Sequence, residues 1–173
     1  MKIVEISSLN AEYEEDVWDL LVLTDEEFIP SLSSRNSTQQ TDFNADNKCV
    51  NRPYAYYEAI KEQEFILAVE ADKVVGLLSY IPDFKLPFCY NDEEIVSNYV
   101  STIIVHPDCR GKRITQKLYK QLMEKNMTIT TRTWSGNMAH ITILRRLKFD
   151  LIQTIPNDRG QGIDTVYYMK KLD

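Results

Sequence analysis

Apolar positions recur along the chain with two periods, and the switches between them mark out its elements. Residues 1–6 alternate polar and apolar, which predicts a strand. Over residues 9–24, Tyr13, Val17, Trp18, Leu20 and Leu21 oppose Glu12, Glu14, Glu15, Asp16 and Asp19, a helical pattern. Residues 30–53 are rich in Ser, Asn, Thr, Gln and Asp, and read as a long surface loop of the kind that often binds ligands. A shorter helix is expected over residues 54–63. Residues 65–69 and 74–80 are apolar strands joined by Glu70-Ala71-Asp72-Lys73, a hairpin signature. Residues 82–91, with Pro82 and Pro87, read as a turn-rich loop, and residues 99–105 as a central strand. Ile114, Leu118 and Leu122 then share one face of a helix whose other face carries Lys117, Lys120, Gln121 and Glu124. A Thr-rich strand over 127–133 leads through Ser135-Gly136-Asn137 into a helix with Ile141, Leu144 and Leu147 inward. Strands over 151–155 and 165–172, separated by a turn at 157–162, close the chain. The order β-α-α-β-β-β-α-β-α-β-β predicts an α/β fold, a central mixed sheet flanked by helices, in one domain over residues 1–173.

One local feature runs against this regularity. The central strand, carrying Ile103, Ile104 and Val105, runs through His106-Pro107-Asp108-Cys109-Arg110-Gly111-Lys112-Arg113 into the helix that opens with Ile114, Thr115 and Gln116. Arg110, Lys112 and Arg113 thus crowd a helix N-terminus, whose free N–H groups already amount to a partial positive charge. Each cation there costs about 0.3–1 kcal/mol unless an anion is bound. A bound polyphosphate reverses that penalty, and Gly111 lets main-chain N–H groups approach it closely. The plainer reading is a solvated basic turn partly neutralised by Asp108.

Composition narrows the function classes. With 43% hydrophobic and 27% charged residues the chain is an ordinary globular one, and its net charge of −6 argues against general nucleic-acid affinity. Any anionic ligand must therefore be held by a local basic patch. Cys49, Cys89 and Cys109 are odd in number, scattered and without His at metal-ligand spacing, so they read as reduced thiols with no metal site. The N-terminus lacks the apolar block of a signal peptide, and no run approaches the length of a membrane span. The expected location is cytoplasmic, with no membrane or nucleic-acid partner.

The element order, a strand ending Val105-His106-Pro107, the loop Arg110-Gly111-Lys112 and the helix after it together resemble the GNAT superfamily of N-acetyltransferases. In that family the segment reads Arg-Gly-x-Gly-x-Gly or Ala, and its main-chain amides hold the pyrophosphate of acetyl-coenzyme A. Here Arg113 and Thr115 replace the two later small residues. The resemblance implies a cofactor site made of Ile103, Ile104, Val105, Arg110, Gly111, Lys112, Arg113, Ile114, Thr115 and Gln116, with the Arg113 side chain directed outward. A second match is Asn137, opening a helix, with Phe149 twelve positions on. The family's Asn faces the pantetheine arm, whereas the local reading of Asn137 is a helix cap. The loop after the first helix, with Phe28, Pro30, Leu32, Ser33 and Arg35, corresponds to the segment that shapes the acceptor pocket.

The implied activity is acetyl transfer from acetyl-coenzyme A to a primary amine of a small molecule or a protein, by direct attack in a ternary complex. A homodimer is compatible with this, and the net charge of −6 leans toward cationic acceptors without choosing one. The oxyanion contact falls to main-chain N–H groups around Ile103 to Val105. The family's Tyr acid aligns with Leu144 and an occasional Glu base with Arg132, neither of which can carry the proton. Water could instead relay protons to Glu26 or Glu27, the thiolate could leave unassisted, or the protein could bind acyl-coenzyme A as a regulatory module with little turnover. His140 is the better imidazole candidate for acid or base and Ser135 a candidate donor to the leaving sulfur, each set against a structural role.

Overall fold

The computed structural model describes residues 1–41, 43 and 52–172. Within them lie the strands β1 (Lys2–Ile6), β2 (Glu64–Glu70), β3 (Lys73–Tyr90), β4 (Glu93–Val105), β5 (Ile129–Trp134), β6 (Asp150–Ile155) and β7 (Thr165–Lys170). The helices are α1 (Glu14–Thr24), α2 (Tyr54–Ile60), α3 (Ile114–Met123) and α4 (Met138–Arg146). The strands form one sheet in the order β1-β2-β3-β4-β5-β7-β6, antiparallel except where β4 meets β5. The expected mixed sheet is thus present. Cys89 and Cys109 are free thiols, and Cys49 lies outside the described residues. No helix among the described residues is long and apolar enough to cross a membrane.

The apolar run in β2 is continuous because both faces of the sheet are covered. Ile66 and Ala68 pack with Leu118, Leu122, Ile141 and Leu144 under α3 and α4. Phe65, Leu67 and Val69 pack with Val17, Leu20, Leu21 and Ile60 under α1 and α2. A third cluster, with Leu86, Ile95, Tyr99, Ile152 and Tyr167, lies where β3 and β4 extend beyond the helices.

Two boundaries differ from the sequence reading. Residues 82–91 are not a loop: β3 continues to Tyr90 and returns as β4 from Glu93. Pro82 and Pro87 fall where the β3–β4 register slips, between Ile81 and Phe84 and between Lys85 and Cys89, so neither interrupts a ladder bond. The period-two set Phe84, Leu86, Phe88 and Tyr90 joins the third cluster, a strand signal that the two prolines mask. The first helix begins at Glu14 rather than residue 9, because the Asn10 side chain accepts the Glu12 N–H at 3.1 Å and holds a turn there.

Gly76 in β3 sets how closely α3 approaches the sheet. A Cβ at this position would lie 2.9 Å from Cγ2 of Ile114, the buried first residue of α3. We expect Gly76→Ala to cost about 1–3 kcal/mol in urea denaturation, since the start of α3 must move outward. The same displacement should weaken any ligand held at that helix start.

Candidate active site

β4 and β5 pair only through Asn98, Tyr99 and Val100, opposite Ile129, Thr130 and Thr131. Past that point they diverge. The divergence coincides with a bulge, for Ser79 pairs Thr102 while Tyr80 pairs Val100, leaving Ser101 as the extra residue. A cleft of about 560 Å³ opens between the strands. From Ser101 to Val105 the main-chain groups of β4 that faced β5 have no strand partner, and these residues form one wall.

The start of α3 forms the end of that wall. Arg110, Gly111, Arg113, Ile114, Thr115 and Gln116 line the cleft with Ile103, Ile104 and Val105. Lys112 does not line it, and its ammonium lies 3.7 Å from the Glu70 carboxylate on β2. No side chain caps α3 and its first turn holds no acidic residue, so its own side chains do not offset the partial positive charge of its free N–H groups. α1, by contrast, begins with Glu14, Glu15 and Asp16. Arg110 donates to Glu27 at 2.6 Å across the cleft, and Glu26 is not among the lining residues.

Arg113 is the α3 N-cap and adopts φ 60°, ψ 26°, the left-handed region, with its side chain exposed. A glycine would hold this conformation without the Cβ penalty of about 1–2 kcal/mol. Arg113→Gly should therefore raise stability by about 0.5 kcal/mol, net of glycine's extra unfolded-state freedom, while losing affinity for an anion at this corner. Thermal denaturation and ligand titration of the same variant read the two effects separately.

β5 and α4 supply the other wall. Asn137 lines it, but its Oδ1 accepts the His140 N–H at 3.3 Å and its Nδ2 donates to Thr133 Oγ1 at 2.9 Å, so it is an α4 cap as well. His140 is 8% exposed, its ring touches the cleft, and its Nε2 lies 2.8 Å from the Tyr119 hydroxyl. Burial pushes the imidazole down to about 4 and holds the Tyr119 hydroxyl above its ordinary range, so both are neutral at pH 7. Ser135 does not line the cleft. Its Oγ accepts the Asp164 N–H at 3.0 Å and pins the β5–α4 turn to the chain before β7. Leu144, at the place the resemblance gives to a Tyr acid, is fully buried in the core, and among the described residues no Tyr lines the cleft.

Side chains alternate along β5, and the two faces of the opening differ accordingly. Thr131 turns toward Tyr119 on the α3 side. Arg132 turns to the opposite face, where its Nη2 donates to the Thr38 carbonyl at 3.2 Å. There it meets Arg35, from the loop after α1, and Arg159, from the β6–β7 turn, and all three guanidiniums lie 5.0–5.6 Å from the Phe43 ring. All three also line the cleft, beside Phe28 and Trp134. In the sequence, Arg35 belongs to the loop expected to shape a pocket, Arg132 stands where some family members carry a Glu base, and Arg159 carries no signal. No local pattern joins positions 35, 132 and 159.

A family model for the acetyltransferase (GNAT) family matches residues 25–139. No curated protein sequence matches the chain. Among solved structures, an N-acetyltransferase from Staphylococcus aureus Mu50 superposes with a TM-score of 0.67 at 15% identity, covering 100% of both chains. The aminoglycoside 6'-N-acetyltransferase from Enterococcus faecium gives 0.65 at 17%, covering 98% of this chain and 96% of that one. The protein yncA from Salmonella typhimurium, solved with its cofactor acetyl-CoA, gives 0.65 at 16%, covering 100% and 95%. At such identities these likenesses establish the fold. The family match spans well over half of the 173 residues, from the turn after α1 into the start of α4, and the chain therefore belongs to the acetyltransferase (GNAT) family.

Proposed function

We propose that the protein transfers an acetyl group from acetyl-coenzyme A to a primary amine, with both substrates bound together in the β4–β5 cleft. The observation that carries this reading is the uncapped α3 start, bearing Arg110 and Arg113, set at the mouth of the cleft. Family membership and the coenzyme A and acetyl-CoA bound in two structures of the same fold support it. Arg110, Arg113 and the first-turn amides of Thr115 and Gln116 would hold the diphosphate. The open β4 edge at Ile103, Ile104 and Val105 would lie along the pantetheine arm and donate N–H groups to the thioester oxygen as charge develops there. Asn137 fixes the facing wall by capping α4.

Bound acetyl-coenzyme A supplies the activated acyl group. The amine nitrogen forms the new bond to the carbonyl carbon, the carbon–sulfur bond breaks, and the amine sheds a proton. Glu27, which lines the cleft, can take this proton, directly or through water, once Arg110 turns from it to a phosphate. With no Tyr among the described residues that line the cleft, the leaving thiolate takes its proton from solvent, which its ordinary pKa of about 8.5 permits. His140, buried, neutral and bonded to Tyr119, supports α4 against α3 in this scheme.

The buried Leu144 favours one rival, a module that binds acyl-coenzyme A without turnover. A thiol-release assay across a panel of amines separates the two. The transferase reading predicts saturable release with at least one amine class, and binding of acetyl-coenzyme A with no release from any amine contradicts it.

A further inference from the structure

The arginine cluster lies on the face of the opening opposite α3, so it does not meet the diphosphate. Arg35 and Arg159 are 7% and 5% exposed, and both also brace the loop after α1. Arg35 Nε and Nη2 donate to the Pro30 carbonyl at 3.0 and 2.8 Å, and Arg159 Nη1 donates to the Ile29 carbonyl at 2.9 Å. Those bonds are to neutral carbonyls. Among the described residues, Asp25 acts on Arg35 and Asp158 on Arg132 and Arg159, and each carboxylate is also engaged elsewhere, by the Ser33 N–H at 2.7 Å and the Thr165 hydroxyl at 2.5 Å. Arg132 Nη1 is buried without a hydrogen-bond partner among the described residues. Burial and mutual repulsion push Arg159 down to about 9, and burial first, then Arg132, push Arg35 down to about 10, whereas Arg132, despite its burial, is held above its ordinary range by Tyr99, Tyr167 and Asp158. A loop brace alone does not need three cations, nor does it explain why the guanidiniums line the cleft.

Resting on the transferase reading above, we infer that the acceptor is a small amine carrying an oxyanion close to its amino group, an amino carboxylate, whose anion is received by Arg132 with Arg35 and Arg159. Glu27 stands in the same cleft for the amino end, and the Phe28 and Trp134 rings, 5.9 Å apart, give an apolar wall for the carbon skeleton. Such a site discriminates against polycationic amines, because they bring more positive charge to a place already holding a surplus.

The test compares matched acceptors in the thiol-release assay: phenylalanine against phenethylamine, with O-phosphoethanolamine as the phosphate arm and spermidine and kanamycin as polycations. An amino carboxylate should exceed its decarboxylated partner at least tenfold in kcat/KM. O-phosphoethanolamine performing better than any amino carboxylate would overturn the carboxylate assignment. Arg132→Gln, which gives up the Nη2 bond to the Thr38 carbonyl but keeps a polar side chain, should raise KM for the carboxylate tenfold or more with little change in kcat, and Arg132→Lys should recover part of it. A decarboxylated amine or polycation that matches the amino carboxylate overturns the inference. So does a preference that survives in folded Arg132→Gln, as judged by an unchanged thermal midpoint. Calorimetric titration with coenzyme A keeps the two levels apart: absence of binding sinks the transferase reading itself, whereas binding with turnover of polycations alone sinks only the acceptor assignment.

Discussion

Replacing Arg110 and Arg113 together by glutamate should weaken coenzyme A binding about 100- to 1,000-fold without unfolding the protein. A charge-assisted hydrogen bond to phosphate contributes about 1.5–3 kcal/mol, and each 1.4 kcal/mol is tenfold in affinity. The folded state loses little in exchange. Arg113 makes no ion pair among the described residues, and the Arg110–Glu27 pair is about half exposed on both sides, a geometry worth under about 1 kcal/mol. Two acidic residues at a helix start that has none should offset that loss or exceed it slightly. Calorimetric titration gives the affinity and thermal denaturation the stability. An unchanged Kd in a folded double variant would mean that the basic corner serves something other than the diphosphate.

Acid should destabilise the protein through His140 by roughly 3 kcal/mol, the second-largest effect expected. Burial sets its folded pKa at about 4, below the unfolded value near 6.5, so the unfolded chain takes the proton first. Stability contributed by the neutral imidazole is therefore complete above pH 6.5 and is lost as pH falls toward 4, below which the contribution is flat. Carboxylates titrate over part of the same range. The comparison is therefore between wild type and His140→Gln, which leaves a polar partner for the Tyr119 hydroxyl. Urea denaturation at pH 7 and pH 4.5 should show a clearly shallower loss in the variant. Equal losses in both would mean that His140 is not held neutral by its surroundings.

How much of this was legible in the sequence follows from which features are local. The strand-loop-helix unit around Arg110 is contiguous, its apolar periods are unbroken, and its charge conflicts with the helix dipole, so both the element and its anion-seeking character are legible in one unbroken stretch from Ile103 into the helix. The long β3–β4 hairpin was half hidden because Pro82 and Pro87 carry the signature of a turn, and only pairing with β4 reveals that they sit at register slips. Ser135 and Asn137 share one short turn, yet one ties to Asp164 and the other caps α4 at the cleft wall, a distinction that spacing does not encode. The arginine cluster was least accessible. Its members come from a loop after α1, from β5 and from the β6–β7 turn, and only the parting of β4 and β5 brings them to one face.

That geometry also revises the electrostatic argument about acceptors. A net charge of −6 suggested cationic amines, but net charge is an average over the surface, and a cleft responds to the groups that line it. Arg35, Arg132 and Arg159 make one face of this cleft locally basic within an acidic protein.

The central claim is that the start of α3 and the open edge of β4 were shaped to hold a diphosphate-bearing acyl carrier. Crystals grown with coenzyme A test it most directly. Density for the diphosphate is expected against the amides of Thr115 and Gln116, with Arg110 turned away from Glu27 and the pantetheine arm running between β4 and β5. Coenzyme A bound elsewhere, or a cleft that stays empty at saturating concentration, would contradict it.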